Sequence, residues 1–308
     1  MTKRYGDLVA VRDLDLAVPR GATYGFLGPN GAGKTTTIRI LLRILEADEG
    51  EVRLLGEDPR REILDKVGYL PEERGLYRRM RVRDLLEFLA ELKGLKPRVS
   101  RPRIDNWLER FDLADRAADR VQDLSKGMQQ KLQFIAAVLH EPELVVLDEP
   151  FGGLDPLNQR ILREVVADLQ RAGRTVLFST HLIEHAERLC DHVCIIAHGR
   201  KILDGPLARI RHEHGGSHVA LGLDGGSLDD LSATIEGVRR APMVARAAAD
   251  GTEVEVALRE GRRPQELLAW LVAENIPVRR FERVEASLTQ IFIDRVGVDP
   301  TVEDDQED

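Results

Sequence analysis

The sequence contains the stretch Gly28-Pro29-Asn30-Gly31-Ala32-Gly33-Lys34-Thr35, which matches the phosphate-binding loop pattern G-x-x-x-x-G-K-[ST] at every fixed position. An apolar run ends just before the loop, and apolar residues at helical spacing follow it, which is the strand–loop–helix context that the pattern requires. Glycines let the backbone wrap a phosphate chain with its N–H groups pointing inward. The stretch therefore predicts a nucleotide site, and a glycine-rich turn without a ligand is the less favoured alternative.

Two side chains at the end of the loop have the chemistry that a bound triphosphate needs. Lys34 is placed to reach the β- and γ-phosphates, and the Thr35 hydroxyl is placed to ligate Mg²⁺. The helix that begins near Lys34 adds the positive end of its dipole beneath the phosphates. The predicted nucleotide-binding residues are Gly28, Pro29, Asn30, Gly31, Ala32, Gly33, Lys34, Thr35 and Thr36.

The size and charge of the chain exclude several classes of protein. A length of 308 residues suggests about two domains, and the formal net charge of −8 argues against nucleic acid as the main partner. The only cysteines are Cys190 and Cys194, so a disulfide framework is excluded and a reducing compartment is favoured. The sequence has neither a signal peptide nor an apolar run of about 20 residues, so any role at a membrane requires another chain to span it.

Short apolar runs alternate with helical patterns along much of the chain. The runs Leu144–Leu147, Thr175–Ser179 and Val193–Ala197 predict strands, and Glu51–Leu55 predicts another. Apolar spacing between residues 80 and 140 predicts helices instead. Continuous apolar strands that alternate with helices favour a parallel sheet buried on both faces.

A change of pattern after residue 211 divides the chain. We expect a nucleotide-binding domain over 1–211, with a helical subdomain over about 75–140. Residues 212–217 have the composition of a linker, and 218–297 have the pattern of a smaller accessory α/β domain. The acidic residues within 298–308 predict a disordered, solvated tail.

A second strong signal is the run Val145-Val146-Leu147-Asp148-Glu149-Pro150. An apolar strand that ends in a carboxylate places that carboxylate at the carboxyl edge of a parallel sheet, beside the phosphate loop. There Asp148 would hold Mg²⁺, directly or through water, and Glu149 would polarise the attacking water. Such a strand is common by itself, and the loop that precedes it gives it this meaning.

The run Leu124-Ser125-Lys126-Gly127-Met128-Gln129-Gln130-Lys131 places a serine and a glycine ahead of a predicted helix. One interpretation is an ordinary N-cap formed by Ser125. The other interpretation directs the same groups outward, so that Ser125, the N–H of Gly127 and the helix dipole bind a γ-phosphate held by a second subunit. The residues alone leave both interpretations open.

The order of these motifs resembles that of the nucleotide-binding subunit of an ATP-binding cassette (ABC) transporter, over about residues 1–210. The matching stretches are GPNGAGKT, LSKGMQQK, LVVLDEP, GGLDP and the histidine after FST. The C-terminal piece, with SLTQIF at 287–292, resembles the accessory domain of single-cassette exporter subunits, including the sodium-efflux type. The resemblance implies an α/β phosphate-loop ATPase core with a parallel sheet, an antiparallel edge sheet and a helical subdomain, followed by a small α/β domain. It also implies ATP and Mg²⁺ as cofactors.

The resemblance assigns roles to four further positions. It implies that Tyr5 stacks on adenine, although by itself this residue would be a surface tyrosine in a turn. Glu72 stands where the family usually has a glutamine that touches Mg²⁺ and senses the permease. Asp155 matches a loop that crosses the dimer interface, and His181 matches a histidine that contacts the γ-phosphate.

The sequence departs from the family pattern at three places. Lys126 and Met128 replace the usual glycine and glutamine, whereas Ser125 and Gly127 remain. Glu72 puts a carboxylate near the metal and the γ-phosphate, which either strengthens Mg²⁺ ligation or repels phosphate. The family usually begins with an edge strand that would precede the first residue here, so that strand is absent or the start is misassigned.

Three other patterns have competing interpretations. The run His181-Leu182-Ile183-Glu184-His185 spells H-x-x-E-H, which is typical of zinc proteases, and Cys190 and Cys194 flank His192. We favour a γ-phosphate contact for His181 and simple burial for both cysteines, because the cysteine pair has no second pair to complete a zinc site. A basic cluster is either a solvated face or a contact with the permease or anionic lipid, and it comprises Arg78, Arg79, Arg81 and Arg83.

The motifs and the resemblance together imply an ATP-hydrolysing subunit that Mg·ATP closes into a head-to-tail homodimer. Each site would join the phosphate loop of one copy to Ser125–Met128 of the other, and a separate integral membrane permease would convert the closure into export. The expected catalytic residues are Lys34, Glu149 and His181, and the expected Mg²⁺ ligands are Thr35, Asp148 and Glu72. We expect the subunit to be cytoplasmic and peripheral at the inner face of the cell membrane.

The alternative function is that of a soluble ABC-type ATPase acting on ribosomes or nucleic acid. Such proteins usually have two cassettes or a long coiled coil, whereas this chain has one cassette and an acidic balance. A small-molecule kinase would lack the Ser125–Gly127 motif. The sequence favours export over import only through the accessory domain, and it does not encode the transported substrate.

Overall fold

A computed structural model describes residues 1–73, 75–214, 218–224, 228–259, 261–284 and 287–296. The chain divides into two compact units, which meet in sequence between Pro206 and Leu207. A helix over Leu207–His214 includes the first three residues of the expected linker, and the rest of that linker lies outside the described residues. The expected acidic tail also lies outside them.

The first unit is built on a six-stranded sheet with a separate two-stranded hairpin. Its strands are β1 (Lys3–Tyr5), β2 (Leu8–Val11), β3 (Thr23–Leu27), β4 (Val67–Leu70), β5 (Leu144–Asp148), β6 (Thr175–Thr180), β7 (His192–Ala197) and β8 (Arg200–Pro206). β1 and β2 form the hairpin, and the sheet has the order β4-β5-β6-β3-β7-β8. All neighbours in the sheet are parallel except β7 and β8. Every residue of β3, β5 and β6 is buried, as their continuous apolar runs predict.

Helices cover the sheet and form a separate helical region. They are α1 (Lys34–Leu41), α2 (Arg61–Leu64), α3 (Val82–Leu92), α4 (Pro97–Arg110), α5 (Lys126–Val138), α6 (Pro156–Arg171) and α7 (Ile183–Leu189). α3 contacts both α4 and α5, and α5 also packs on β4. The apolar faces of α3 and α4 are buried at Leu85, Leu86, Ile104 and Leu108, which are the positions that the helical spacing selects.

The predicted strand at Glu51–Leu55 is wrong. The described residues of this segment form no strand, and Leu54 makes only an isolated bridge with Glu57. The alternation of residue types gives a segment the propensity for a strand, but a strand also needs a neighbour that satisfies its backbone groups. The isolated bridge between Thr2 and Glu49 lies just before this segment and does not continue along it. The α/β fold class itself is confirmed.

The described residues of the second unit form a four-stranded antiparallel sheet and four helices. Its elements are α8 (Leu207–His214), β9 (His218–Leu223), α9 (Leu228–Arg240), β10 (Val244–Asp250), β11 (Glu253–Leu258), α10 (Pro264–Ala273), β12 (Val278–Val284) and α11 (Leu288–Val296). The strands have the order β10-β11-β9-β12. One face of the sheet supplies Val219, Leu221, Val254 and Val256 to a core that also includes side chains of α9 and α10. No helix in the described part of the chain is long and apolar enough to span a bilayer.

Gly68 allows α5 to approach β4 closely. A Cβ at this position would lie 2.0 Å from the carbonyl oxygen of Ala137 and 2.9 Å from Cγ of Pro142. Backbone atoms cannot move aside as a flexible side chain can, so only glycine permits this packing distance.

We expect Gly68→Ala to lower the free energy of unfolding by about 1–3 kcal/mol, because the added methyl group forces α5 away from the sheet. The change is read from the urea unfolding midpoint, followed by circular dichroism. Gly237→Ala is the control, because Gly237 lies in α9 and a Cβ there would meet no heavy atom of a neighbouring element within 4 Å. An unchanged midpoint for Gly68→Ala would contradict the close contact between α5 and β4.

Candidate nucleotide site

The ends of four parallel strands bring the predicted site residues to one edge of the sheet. The loops that follow β3, β4, β5 and β6 all leave at this carboxyl edge. The ladder pairs Leu27 with Thr180, and it pairs Asp148 with Ser179. In a doubly covered parallel sheet this edge is where ligands bind.

The phosphate loop has the backbone that its glycines predict. Gly31 and Gly33 have φ angles of +74° and +101°, in the left-handed region that other residues rarely adopt. A Cβ at Gly28 would lie 2.4 Å from the carbonyl oxygen of Ile196, so the loop also passes too close to β7 for any side chain there. α1 begins directly after the loop, at Lys34.

Lys34 is buried beneath the loop. Its Nζ donates to the carbonyl oxygens of Gly28 at 2.8 Å and Pro29 at 3.2 Å, and it lies 3.6 Å from Oε1 of Glu149. Burial lowers the pKa of Lys34, and the neighbouring Glu149 opposes that shift. The ammonium group is therefore held at the base of the loop by oxygen atoms, in the way that it would bind phosphate oxygens.

A cavity of about 420 Å³ lies above the loop. Its lining residues are Tyr5, Leu8, Ala10, Asn30, Gly31, Ala32, Gly33, Lys34, Thr35, Thr36, Glu72 and Glu149. The structure thus brings together the predicted loop residues from Asn30 to Thr36 with Tyr5 on the β1–β2 hairpin. Gly28 and Pro29 are not among the lining residues and contribute the carbonyl groups that hold Lys34.

Tyr5 is one of the residues that line this cavity. The residue is 46% exposed, and Nζ of Lys3 lies 5.7 Å from its ring centroid. An exposed aromatic face beside a cationic side chain is suited to stacking against a flat base.

Asp148, the last residue of β5, is fully buried. Its Oδ1 accepts hydrogen bonds from the hydroxyls of Ser179 and, at 3.4 Å, Thr35. Its Oδ2 is buried with no hydrogen-bond partner among the described residues. Burial raises the pKa of Asp148, and the bonds from Ser179 and Thr35 oppose that shift. A buried carboxylate oxygen without a partner is costly unless a cation or a donor occupies the adjacent space.

Glu149 is held in one orientation by three groups. Its backbone N–H donates to Oγ of Ser179 at 3.2 Å, and its Oε1 lies 3.0 Å from Nδ1 of His181 and 3.6 Å from Nζ of Lys34. Its φ angle is +46°, which is a strained conformation for a residue with a side chain. The strained backbone turns this carboxylate into the cavity, next to the phosphate loop.

Glu72 follows β4 and faces the same cavity. Burial raises the pKa of Glu72, and the nearby carboxylates of Asp148 and Glu149 raise it further, whereas Lys34 lowers it. Three carboxyl groups therefore surround one lysine at this edge of the sheet. This surplus of negative charge favours a bound cation.

Ser125 and Asp155, which were predicted to contact a second copy of the chain, both cap helices. Ser125 is the N-cap of α5, where its Oγ accepts from the N–H of Met128 at 3.2 Å. Asp155 is the N-cap of α6, where its Oδ1 accepts from the N–H of Asn158 at 2.9 Å, and this bond contributes most to its lowered pKa. Neither these two residues nor Lys126, Gly127 and Met128 line the cavity.

The histidines and cysteines that resemble zinc ligands have other neighbours. The ring of His185 stacks on Phe151 with 4.2 Å between centroids, and burial lowers its pKa. Cys190 and Cys194 are both buried thiols, and burial raises the pKa of Cys194 to about 12. The described residues contain no group of three or more histidine, cysteine, aspartate or glutamate side chains that could hold a metal ion by themselves.

Two residues that hold the site together were not predicted from the sequence. Ser179 bonds both the carboxylate of Asp148 and the backbone of Glu149, and Gln133 on α5 contacts the loop that contains Glu72. The sequence did contain one signal for Ser179. Its hydroxyl ends the predicted strand Thr175–Ser179, which is the next predicted strand after the one that leads to Asp148. The packing of α5 on the sheet was not visible in the sequence, so Gln133 had no comparable signal.

Comparison with known proteins agrees with the motifs. Residues 11–152 match the family model of the ABC transporter domain, and residues 205–296 match the C-terminal domain of DrrA1-3-like ATP-binding proteins. The chain is 44% identical to the uncharacterized ABC transporter ATP-binding protein YhaQ of Bacillus subtilis, over 96% of this chain and 97% of that protein. It is 37% identical to the Nod factor export ATP-binding protein I of Cupriavidus pinatubonensis, over 96% and 88% of the two chains.

A solved structure of the ATP-binding subunit of an ABC transporter has the same fold. It superposes with a TM-score of 0.66 at 33% sequence identity, covering 76% of this chain and 95% of that one. The family resemblance drawn from the motifs is thus confirmed over both units of the chain. This chain belongs to the family of ABC transporter ATP-binding proteins, and it is an ATP-binding and ATP-hydrolysing subunit of that class.

Proposed function

We propose that the 420 Å³ cavity is the Mg·ATP site, and that ATP joins two copies of this chain in a head-to-tail dimer that drives export. The observation that carries the proposal is the convergence on one cavity of the phosphate loop, Tyr5 and Glu149, with the buried Asp148 behind it. Each group has the chemistry that one part of ATP requires. The loop suits the phosphates, and the exposed ring of Tyr5 suits the adenine.

The residues behind the loop fit Mg²⁺. Thr35 and Asp148 place a hydroxyl and a carboxylate within hydrogen-bonding distance of each other, and Oδ2 of Asp148 has no partner among the described residues. Mg²⁺ usually takes one or two carboxylates and completes its coordination with water and phosphate oxygens. Glu72 lines this cavity together with Glu149, and we assign Glu72 to Mg²⁺ as well. Bound Mg²⁺ would neutralise phosphate charge during transfer.

Glu149 and His181 would prepare the water that attacks the γ-phosphate. The carboxylate of Glu149 accepts a proton from that water, and Nδ1 of His181 orients the carboxylate through its 3.0 Å contact. Lys34 neutralises phosphate charge from below the loop. Catalysis is then mainly positioning and electrostatics, since contacts within the chain itself hold Glu149 and Lys34 in place.

The second half of each ATP site would come from another copy. Ser125 and Gly127 lie at the N-terminus of α5, where the hydroxyl, the free N–H groups and the helix dipole favour an anion. They do not line the cavity of their own chain, so they are available to the γ-phosphate held by a partner. Asp155, at the N-terminus of α6, would lie at the same interface.

A separate membrane permease would turn dimer closure into transport. The described helices include none that could span a bilayer, and one relative is named for Nod factor export. We therefore propose a peripheral position at the cytoplasmic face of the membrane and the direction of export. The second unit, which matches the DrrA1-3-like C-terminal model, would serve as an accessory domain from residue 207 onward.

We expect Glu149→Gln to lower ATP turnover by about 10²–10⁴-fold, because the variant loses the group that accepts the proton from water. ATP binding persists, so the variant accumulates as an ATP-bound dimer, which gel filtration detects. Glu143→Gln is the control, because Glu143 lies just before the same strand but is exposed and pairs with Lys66. Normal turnover in Glu149→Gln would remove this residue from its proposed role.

We expect Tyr5→Ala to weaken ATP binding by about tenfold, because stacking on a base contributes about 1–3 kcal/mol. Binding of ribose triphosphate without a base should change little, and fluorescence competition measures both ligands. Tyr77→Ala is the control, since Tyr77 is also exposed but does not line the cavity. Equal losses for both ligands would argue against stacking.

We expect Ser179→Ala to raise by about tenfold the Mg²⁺ concentration that gives half-maximal nucleotide binding. The variant loses the hydroxyl that orients Asp148, and such outer partners typically change metal affinity by about 10–100-fold. Ser100→Ala is the control, because Ser100 is equally buried but lies on α4. The same Mg²⁺ dependence in both variants would mean that Ser179 does not act on the metal site.

A further inference from the structure

The loop that contains Glu72 has few fixed contacts of its own. Strand β4 ends at Leu70, and beyond the sheet ladder no backbone–backbone hydrogen bond among the described residues holds residues 71–73. Glu73 pairs with Arg39 at 3.3 Å, but both side chains are well exposed, and exposed ion pairs contribute little. Another group must therefore fix the position of Glu72 beside the cavity.

Gln133 supplies that group. Its side-chain Nε2 donates to the carbonyl oxygen of Pro71 and to that of Glu73, each at 3.2 Å. These two carbonyls stand immediately before and after Glu72. A primary amide has two N–H donors, and two acceptors face it here, so both donors are used and the orientation of the amide is determined. Gln133 is only 4% exposed, which protects both bonds from water.

The packing of α5 on β4 brings Gln133 to this loop. Ala137 contacts Gly68 near the start of β4, and Gln133 lies one helical turn earlier on the same face of α5. β4 runs from Gly68 toward Pro71, so Gln133, one turn before Ala137, lies toward the end of the strand where the loop begins. Gly68, which permits the close approach of α5 to β4, therefore also allows Gln133 to reach the loop.

We propose that Gln133 is a positioning residue for Glu72, which it holds on the nucleotide cavity by bonding the backbone on both sides of it. The proposal rests on the proposed function, in that Mg·ATP occupies this cavity and Glu72 contacts the metal. Under this proposal, α5 contributes to the site in two ways. The same helix is capped by Ser125 at one end and bonds the Glu72 loop through its middle.

Gln129 provides a matched comparison on the same helix. Its Nε2 also donates to two carbonyl oxygens, those of Val121 at 3.1 Å and Leu124 at 3.0 Å. These carbonyls belong to the segment before α5 and do not flank a residue of the cavity. A substitution at Gln129 thus removes an equivalent pair of hydrogen bonds without touching the Glu72 loop.

The test is a double-mutant cycle between Gln133→Met and Glu72→Ala. Methionine keeps the shape of glutamine but cannot donate, so Gln133→Met releases the loop with little change in packing. The readout is the Mg²⁺ concentration that gives half-maximal binding of a fluorescent ATP analogue to the full chain. We expect Gln133→Met to raise this concentration by about threefold or more, and to have almost no effect when Glu72→Ala is already present.

Gln129→Met removes a bond to the carbonyl next to Ser125 and none at the Glu72 loop, so any shift that it causes should be the same with and without Glu72→Ala. Equal effects of Gln133→Met in the presence and absence of Glu72, or no effect at all, would overturn the positioning role. If Gln133→Met does not fold, as judged by circular dichroism, Gln133→Asn replaces it, with a smaller shift that Glu72→Ala again removes. A parent protein whose nucleotide binding ignores Mg²⁺ would instead contradict the proposed function.

Discussion

The parallel register of the central strands is the constraint on which the site depends. Neighbouring strands lie about 4.8 Å apart, so paired residues at the ends of β3, β5 and β6 are necessarily close. That pairing sets Asp148 beside Ser179, and it sets the start of the phosphate loop beside Thr180. A shift of one residue in β5 would turn Asp148 to the opposite face of the sheet and away from Ser179.

The charged groups at this edge of the sheet favour a ligand that carries both positive and negative charge. Burial raises the pKa of Asp148 and Glu72, and it lowers the pKa of Lys34, so the charged form of each group is disfavoured when it stands alone. Mg²⁺ would stabilise the carboxylates, and a triphosphate would stabilise the lysine. The strained backbone of Glu149 fits the same picture, because strain at a reactive group persists only where the surrounding packing imposes it.

The sequence predicted contiguous features well and features of packing poorly. The phosphate loop and the Asp148–Glu149 pair are short motifs whose neighbours along the chain already define their surroundings. Ser179 acquires its role only when β5 and β6 pair in a particular register, and Gln133 acquires its contact only when α5 packs on β4. The prediction of a strand at Glu51–Leu55 was wrong for a related reason. Its residues favour a strand, but no strand among the described residues pairs with it.

The helix α5 shows how one element can serve two proposed half-sites. Its first turn, capped by Ser125, would meet ATP held by a partner, whereas Gln133 bonds the loop beside the cavity of its own chain. From Ser125 to Gln133 an α-helix rises about 12 Å in roughly two turns, so one regular element sets the separation of these two places.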